Sequence, residues 1–390
     1  MSHRPLNRTF AGLGTTIFSV MSALAVEHKA VNLGQGFPDE DGPEDLRRIA
    51  AEALIRGPNQ YPPMTGLPVL REAVATANAR FYGLKVDPAT EVIVTSGATE
   101  ALADCILALV NPGDEVILIE PAYDSYRPMI EAVGGVVRAI RVHPPEWNLD
   151  PAELAAAFGP KTKAILFNTP MNPVGKVFTK PELELIASLL QRFDAYAICD
   201  EVYEHLLFDG RTHLPLMTLP GMRERCLRIG SAGKTFSMTG WKVGYITGPK
   251  ALMSVVAKAH QFVTFTTPNA LQIAVAEGLR KEAAYFDGLA ADMQAKRDLL
   301  RDALTAAGVP TLPCEGTYFL VADIARWSGG APDTVFCERL VKEAGVATIP
   351  LSAFYAKDAP QNLIRFAFCK RPETLREASG RLAARFRAAA

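Results

Sequence analysis

The sequence predicts an open α/β sheet with helices on both faces, followed by a second, smaller α/β layer. Three observations lead there. Runs of strand-like composition alternate with helical stretches over residues 91–248. Several of these runs are nearly continuous in apolar residues, as expected of strands covered on both faces. After about residue 250 the pattern turns mainly helical as far as about 308, and then alternates again on a shorter scale. Strands alternating with helices argue for a helix-clad sheet.

Taken in order, "EVIVTS" (91–96) is the first strand. "TEALADCILALV" (99–110) follows as a helix, with Leu102, Cys105, Ile106 and Leu109 on one stripe at i, i+3, i+4, i+7 spacing. "EVILIE" (115–120), "VVRAIRV" (136–142) and "KAILFN" (163–168) are the next strands. "PELELIASLLQRF" (181–193) is helical and opens with Pro181, a residue suited to a first turn. "YAICDE" (196–201), "CLRIGS" (226–231) and "KVGYITG" (242–248) complete seven strands. The second layer comprises "GTYFLVADI" (316–324), a helix near 333–344, "VATIPLS" (346–352), "LIRFAFCK" (363–370) and a final helix. There is no internal repeat and no low-complexity linker.

The chain has 390 residues, room for about two domains. It is 49% hydrophobic and 21% charged, with a net charge of −1, so nothing marks it as an electrostatic nucleic-acid binder. The start lacks a signal peptide's apolar core, and no apolar run reaches the ~20 residues that span a bilayer. The six cysteines (Cys105, Cys199, Cys226, Cys314, Cys337, Cys369) form no CxxC pair and mostly sit in apolar runs. They read as buried, reduced thiols, which points to the cytoplasm. The histidines show no HxxxH or HxH spacing, so no histidine-built metal site is expected.

The strand ends carry the chemistry, because ligands of open α/β sheets bind outside the carboxyl ends of the strands. These ends read Ser96-Gly97-Ala98-Thr99, Pro121-Ala122-Tyr123, Asn168 through Pro173, Asp200-Glu201-Val202-Tyr203 and Ser231-Ala232-Gly233-Lys234. Each is polar or aromatic where an apolar strand stops. The turn at Gly97 offers free amides for an anion such as phosphate; a plain turn capped by Thr99 is the alternative. The Rossmann fingerprint fails there, and at Gly34–Gly36 too, where Asp39 occupies its last position. Asp200 ends an apolar strand and needs a partner; a positive ring nitrogen would serve, as would a helix cap or an arginine. Lys234 fails as a P-loop lysine, since Arg228 stands where that motif needs glycine. Ser231 to Lys234 satisfies SxxK, but the SDN and KTG elements of the serine hydrolases that use it are absent. A lysine among Ala232, Gly233 and Phe236 suits a Schiff-base amine better than a solvated one.

These residues, in this order, resemble the fold-type I enzymes that use pyridoxal 5′-phosphate, and specifically the class I aminotransferases. "GSAGKTFSMTGWKVGY" (230–245) looks like the cofactor-lysine segment of the branch containing kynurenine, glutamine and methionine aminotransferases. "VNLGQGFPDE", "NQYPPMTGLPVLREA", "VTSGATEAL", "EPAYDSY", "NTPMNPVGKVF", "CDEVYEH" and "LIRFAFCK" look like the same branch. The resemblance runs from about residue 15 to the last helix.

It implies a large domain with a mixed, mostly parallel seven-stranded sheet over residues 36–275. An N-terminal arm (1–35) and a small C-terminal domain (276–390) flank it. By resemblance Lys234 bonds the cofactor and shuttles a proton, Asp200 pairs with the ring nitrogen, and Asn172 and Tyr203 hydrogen-bond the ring's phenolic oxygen. Tyr123 stacks on the ring. Gly97, Ala98, Thr99, Ser231 and Lys242 gather at the phosphate, with Tyr61 arriving from the other subunit of a homodimer. Arg365 grips the substrate carboxylate, assisted by Gly36 and Asn172; a structural salt bridge is its bland alternative. Phe18, Phe265, Tyr318 and Phe354 are candidates for an apolar side-chain pocket, or simply core. No second arginine of the aspartate-specific kind is placed, so neutral donors such as methionine, glutamine or aromatic amino acids are favoured, with a 2-oxo acid as acceptor. A cysteine-conjugate β-lyase or other lyase would share every cofactor residue. The SxxK hydrolase is a weak alternative, and a regulator with an added DNA-binding domain finds no room.

Overall fold

The computed structural model describes residue 4 and residues 6–388. Strand β1 (Val31–Asn32) belongs with the C-terminal layer. The central sheet contains β2 (Val92–Thr95), β3 (Glu115–Glu120), β4 (Val136–His143), β5 (Asn148–Leu149), β6 (Thr162–Asn168), β7 (Tyr196–Asp200), β8 (Cys226–Ser231) and β9 (Gly244–Thr247). Their order across the sheet is β2-β9-β8-β7-β6-β3-β4-β5. Seven of these are the strands the sequence predicts. The eighth, β5, is a two-residue antiparallel partner of β4 at the edge. Two residues are too few to show an apolar run or an alternation, so the sequence carries no signal for it.

The pairings β3–β4, β3–β6, β6–β7 and β7–β8 are parallel. β9 runs antiparallel between β2 and β8. Its reversal matters for the site: the carboxyl ends of β2 and β8 meet the start of β9, with Thr95 and Ser231 both opposite Gly244. Lys242 thus arrives at the same sheet edge as Asp200 and Lys234, although its strand runs the other way. β2, β3, β8 and β9 are buried along their whole length, as their apolar runs require.

The helix after β2 spans Gly97–Leu109 and buries Leu102, Cys105, Ile106 and Leu109, the predicted stripe. It begins ahead of Thr99, with Ser96 at the cap position, so the simple Thr99 cap is not what forms. The helix Lys180–Arg192 begins one residue before Pro181 because Thr179 and Glu182 close a capping box.

The C-terminal layer holds β10 (Phe319–Asp323), β11 (Val346–Ala347), β12 (Ile349–Pro350) and β13 (Leu363–Ala367). β13 lies between β10 and β12, antiparallel to both. The segment expected as one strand at 346–352 is split: β11 pairs in parallel with β1, and β12 pairs with β13. Helices Ala283–Ala306 and Pro372–Ala388 pack against each other over this layer. All six cysteines are buried and free, and no described helix is long and apolar enough to cross a membrane.

Candidate active site

The polar ends of β2, β6, β7 and β8 converge on a cavity of about 450 Å³, within the range of small-molecule sites. Gly36, Gly97, Ala98, Thr99, Tyr123, Asn172, Asp200, Tyr203, Ser231, Lys234, Lys242, Arg365 and Phe18 all line it.

Lys234 sits on a one-turn helix, Ala232–Thr235, directly after β8. Its Nζ donates to the Tyr318 hydroxyl at 2.9 Å, and that hydroxyl donates to the Gly36 carbonyl at 2.6 Å. The ammonium form is poorly solvated there, and burial pulls its pKa down to about 8. A free amine is therefore accessible near neutral pH. Asp200 ends β7 and is buried. Burial pushes its carboxyl up to about 6, although the Tyr126 hydroxyl donates to Oδ2 at 2.5 Å and the Val202 amide to Oδ1 at 3.3 Å. A carboxylate held this far from water is poised for a cationic partner.

Arg365, on β13, is 1% exposed. Nη1 donates to Asn172 Oδ1 at 2.8 Å and Nη2 to the Gly34 carbonyl at 2.9 Å, while Nε has no partner. The guanidinium lies 3.9 Å from the centre of the Phe319 ring, 4.9 Å from Phe354 and 5.4 Å from Phe18. Burial lowers its pKa to about 10. No carboxylate pairs with it among the described residues, so it is not the structural salt bridge that sequence reasoning left open. Gly36 permits this packing: a Cβ there would lie 2.7 Å from Phe319 Cζ.

The opposite end of the cavity suits an anion. Gly97 opens the helix with φ of +76°, and a Cβ on it would fall 3.2 Å from Lys242 Nζ. The first-turn amides of that helix lack intrahelical acceptors and carry its positive dipole end. Lys242, in a left-handed conformation with φ of 52°, and Ser231 border the same end.

Tyr61 and Phe265 do not line the cavity. They stack edge-to-face at 5.4 Å on the surface, and Tyr61 is 83% exposed. Tyr318 and Phe354 are buried and are not walls of an open side-chain pocket; Tyr318 instead tethers the Lys234 amine. The SxxK reading fails, because among the described residues Lys234 bonds Tyr318 and makes no hydrogen bond to Ser231.

Sequence reasoning gave Asn168 only as a strand end, and missed Tyr126, Asp124, Gln35, Thr239 and Phe319; all six also line the cavity. Tyr126 lay within the quoted "EPAYDSY", and Asn168 opened "NTPMNPVGKVF". Asn168 earns its place by bonding: its Oδ1 accepts from the Asn172 amide at 2.6 Å and its Nδ2 donates to the Asp200 carbonyl at 2.8 Å.

A half-buried amine, a buried carboxylate and a guanidinium without a carboxylate, set around one cavity of a helix-clad sheet, fit amine chemistry on carboxylate-bearing substrates. The comparisons name the family. The profile of aminotransferase class I and II matches residues 28–382. The chain is 44% identical over 370 residues to a methionine aminotransferase of Escherichia coli, covering 95% of this chain and 96% of that one. It is 39% identical over 416 residues to kynurenine–oxoglutarate transaminase 1 of Mus musculus, covering 98% of each. The solved structure of N-succinyldiaminopimelate aminotransferase from Mycobacterium tuberculosis superposes with a TM-score of 0.94 at 44% identity, covering 97% of this chain and all of that one. The chain belongs to the class I and II aminotransferases, and it is a fold-type I enzyme that transfers amino groups between amino and oxo acids.

Proposed function

We propose that this aminotransferase uses pyridoxal 5′-phosphate to move the amino group of a neutral L-amino acid to a 2-oxo acid by a ping-pong sequence. The observation that carries the reading is the set of three groups, half-buried Lys234 and buried Asp200 and Arg365, facing one cavity with an end that suits an anion. When bound, the cofactor supplies the electron sink that makes the substrate α-hydrogen acidic. Lys234 holds the cofactor and, as a free amine, carries the proton to and from the α-carbon. Asp200 keeps a proton on the ring nitrogen. Asn172 and Tyr203 donate to the phenolic oxygen, and Tyr123 covers the ring. Gly97, Ala98, Thr99, Ser231 and Lys242 hold the phosphate. Arg365, with Asn172 and Gly36 alongside, orients the substrate carboxylate.

Neutral donors are favoured by the rings of Phe18 and Phe319 along the wall and by the lining itself, where Arg365 is the one arginine among the described residues. Methionine, glutamine and aromatic amino acids fit that description. The exposed apolar surface of Tyr61, Phe262, Val263 and Phe265 supports a homodimer in which Tyr61 and Phe265 serve the other copy's site. Six buried, unpaired thiols support a cytoplasmic enzyme.

Borohydride reduction followed by peptide mapping tests the reading. A phosphopyridoxyl group on Lys234 is the expected product. Its appearance on another lysine, or a protein that ignores added pyridoxal phosphate, would sink the mechanism. Product analysis separates transfer from elimination: a keto acid formed only with an added oxo acid supports transfer, whereas acceptor-independent pyruvate and ammonia mark a β-lyase.

A further inference from the structure

Glu100 and Asp104 lie one turn apart on the helix Gly97–Leu109 and meet His260 of the helix Lys250–Val263. All three are buried. His260 Nε2 lies 2.9 Å from the Met64 carbonyl. A carbonyl only accepts, so Nε2 carries a hydrogen. His260 Nδ1 faces carboxylates alone, Glu100 Oε1 at 2.7 Å and Asp104 Oδ2 at 3.4 Å. A proton must therefore lie between ring and carboxylates. Neither Asp104 oxygen has a hydrogen-bond partner, so no other donor offsets its charge.

The cluster joins two parts of the site. Glu100 Oε2 accepts from the Ser96 amide, directly before the Gly97 turn. The Met64 carbonyl belongs to the segment that carries Tyr61. We propose that His260 is a positioning residue: as an imidazolium clamped by Glu100 and Asp104, it ties the Ser96–Thr99 turn to the Tyr61–Met64 segment and sets how tightly the cofactor phosphate is held. This rests on the pyridoxal-phosphate reading above.

The titratable groups facing the ring are Glu100 and Asp104; Cys105 lies beside Asp104, and the Met64 segment brings only a carbonyl. Burial opposes the imidazolium charge, but the adjacent carboxylates of Asp104 and Glu100 outweigh it and push His260 up to about 9. The tie is therefore fullest near neutral pH: it is lost as pH rises through about 9, and it weakens as pH falls through about 6, where burial leaves the Asp104 carboxyl protonated.

The experiment titrates pyridoxal 5′-phosphate into cofactor-stripped wild type, His260→Gln and Asp104→Asn, following absorbance at neutral pH and through the alkaline range. His260→Gln is expected to weaken cofactor binding by about tenfold or more, the size of one charged hydrogen bond, with a smaller change in KM for the amino donor. Asp104→Asn weakens cofactor binding at neutral pH less than His260→Gln does, and its alkaline loss begins at lower pH than in wild type. Lys234 titrates in all three proteins, so the displacement between the curves isolates His260. Superimposable wild-type and Asp104→Asn curves overturn the proposal, even if His260→Gln does not fold. So does native affinity in His260→Gln, or a stoichiometric divalent metal in the purified protein. A wild type that takes up no cofactor overturns both this proposal and the reading beneath it.

Discussion

Replacing Arg365 with lysine tests the carboxylate site most directly. Arginine presents a fork whose Nη atoms are already oriented by Asn172 at 2.8 Å and the Gly34 carbonyl at 2.9 Å. Lysine keeps the positive charge and much of the volume beneath the three phenyl rings, but it brings a single nitrogen. That nitrogen cannot satisfy Asn172 and Gly34 and still offer a substrate carboxylate two parallel bonds. The loss is one charge-assisted hydrogen bond plus the fork's alignment, about 2–3 kcal/mol in all. This corresponds to a fall in kcat/KM of roughly 30- to 150-fold. The assay is steady-state transfer from several neutral donors to one oxo acid, with cofactor affinity and thermal stability measured separately. Most of the loss should fall in KM for the donor, with cofactor binding nearly unchanged. A kcat/KM within about threefold of wild type would refute the carboxylate role, since that is less than one such bond supplies. A loss that merely follows cofactor release would refute it too.

Three further outcomes follow from the same geometry. Lys234→Ala should abolish transfer while the folded protein still takes up cofactor, whereas Lys242→Ala should chiefly raise the cofactor concentration needed for half-saturation; equal effects on turnover would contradict the division of labour. Tyr126→Phe removes a donor that stabilises the Asp200 carboxylate, so the Asp200 pKa should climb further above its present value of about 6; the acid limb of the pH–rate profile should then move to higher pH, and an unmoved limb would count against Asp200 as the ring-nitrogen partner. Gly36→Ala sets a methyl 2.7 Å from the Phe319 ring, which should cost about 1–3 kcal/mol in denaturant unfolding and reduce donor turnover.

The legible parts of the molecule were those written locally. β8 was predicted at its observed bounds because an apolar run stops abruptly at Ser231. The cavity lining was legible for the same reason, since polar and aromatic residues replace apolar ones where each strand ends. Pairings across the chain left no such trace. β5 and the split between β11 and β12 depend on two-residue contacts with distant strands. Tyr318 read as a candidate for an apolar side-chain pocket, or as core, because nothing nearby shows its hydroxyl meeting Lys234, 84 positions away. His260 and Glu100 are 160 positions apart, beyond any periodicity.

The bond from Arg365 to the Gly34 carbonyl joins residues 331 positions apart, and β1 meets β11 just beside it. The amine and its carboxylate neighbour are both translated by residue 234, but the guanidinium proposed to recruit substrate comes more than a hundred positions later. Its anchor, Gly34, precedes the amine by 200 positions. On that proposal, a growing chain carries the lysine for more than a hundred positions before it can seat an amino acid. On the proposed carboxylate role, competence comes late, when segments 331 positions apart close on one another.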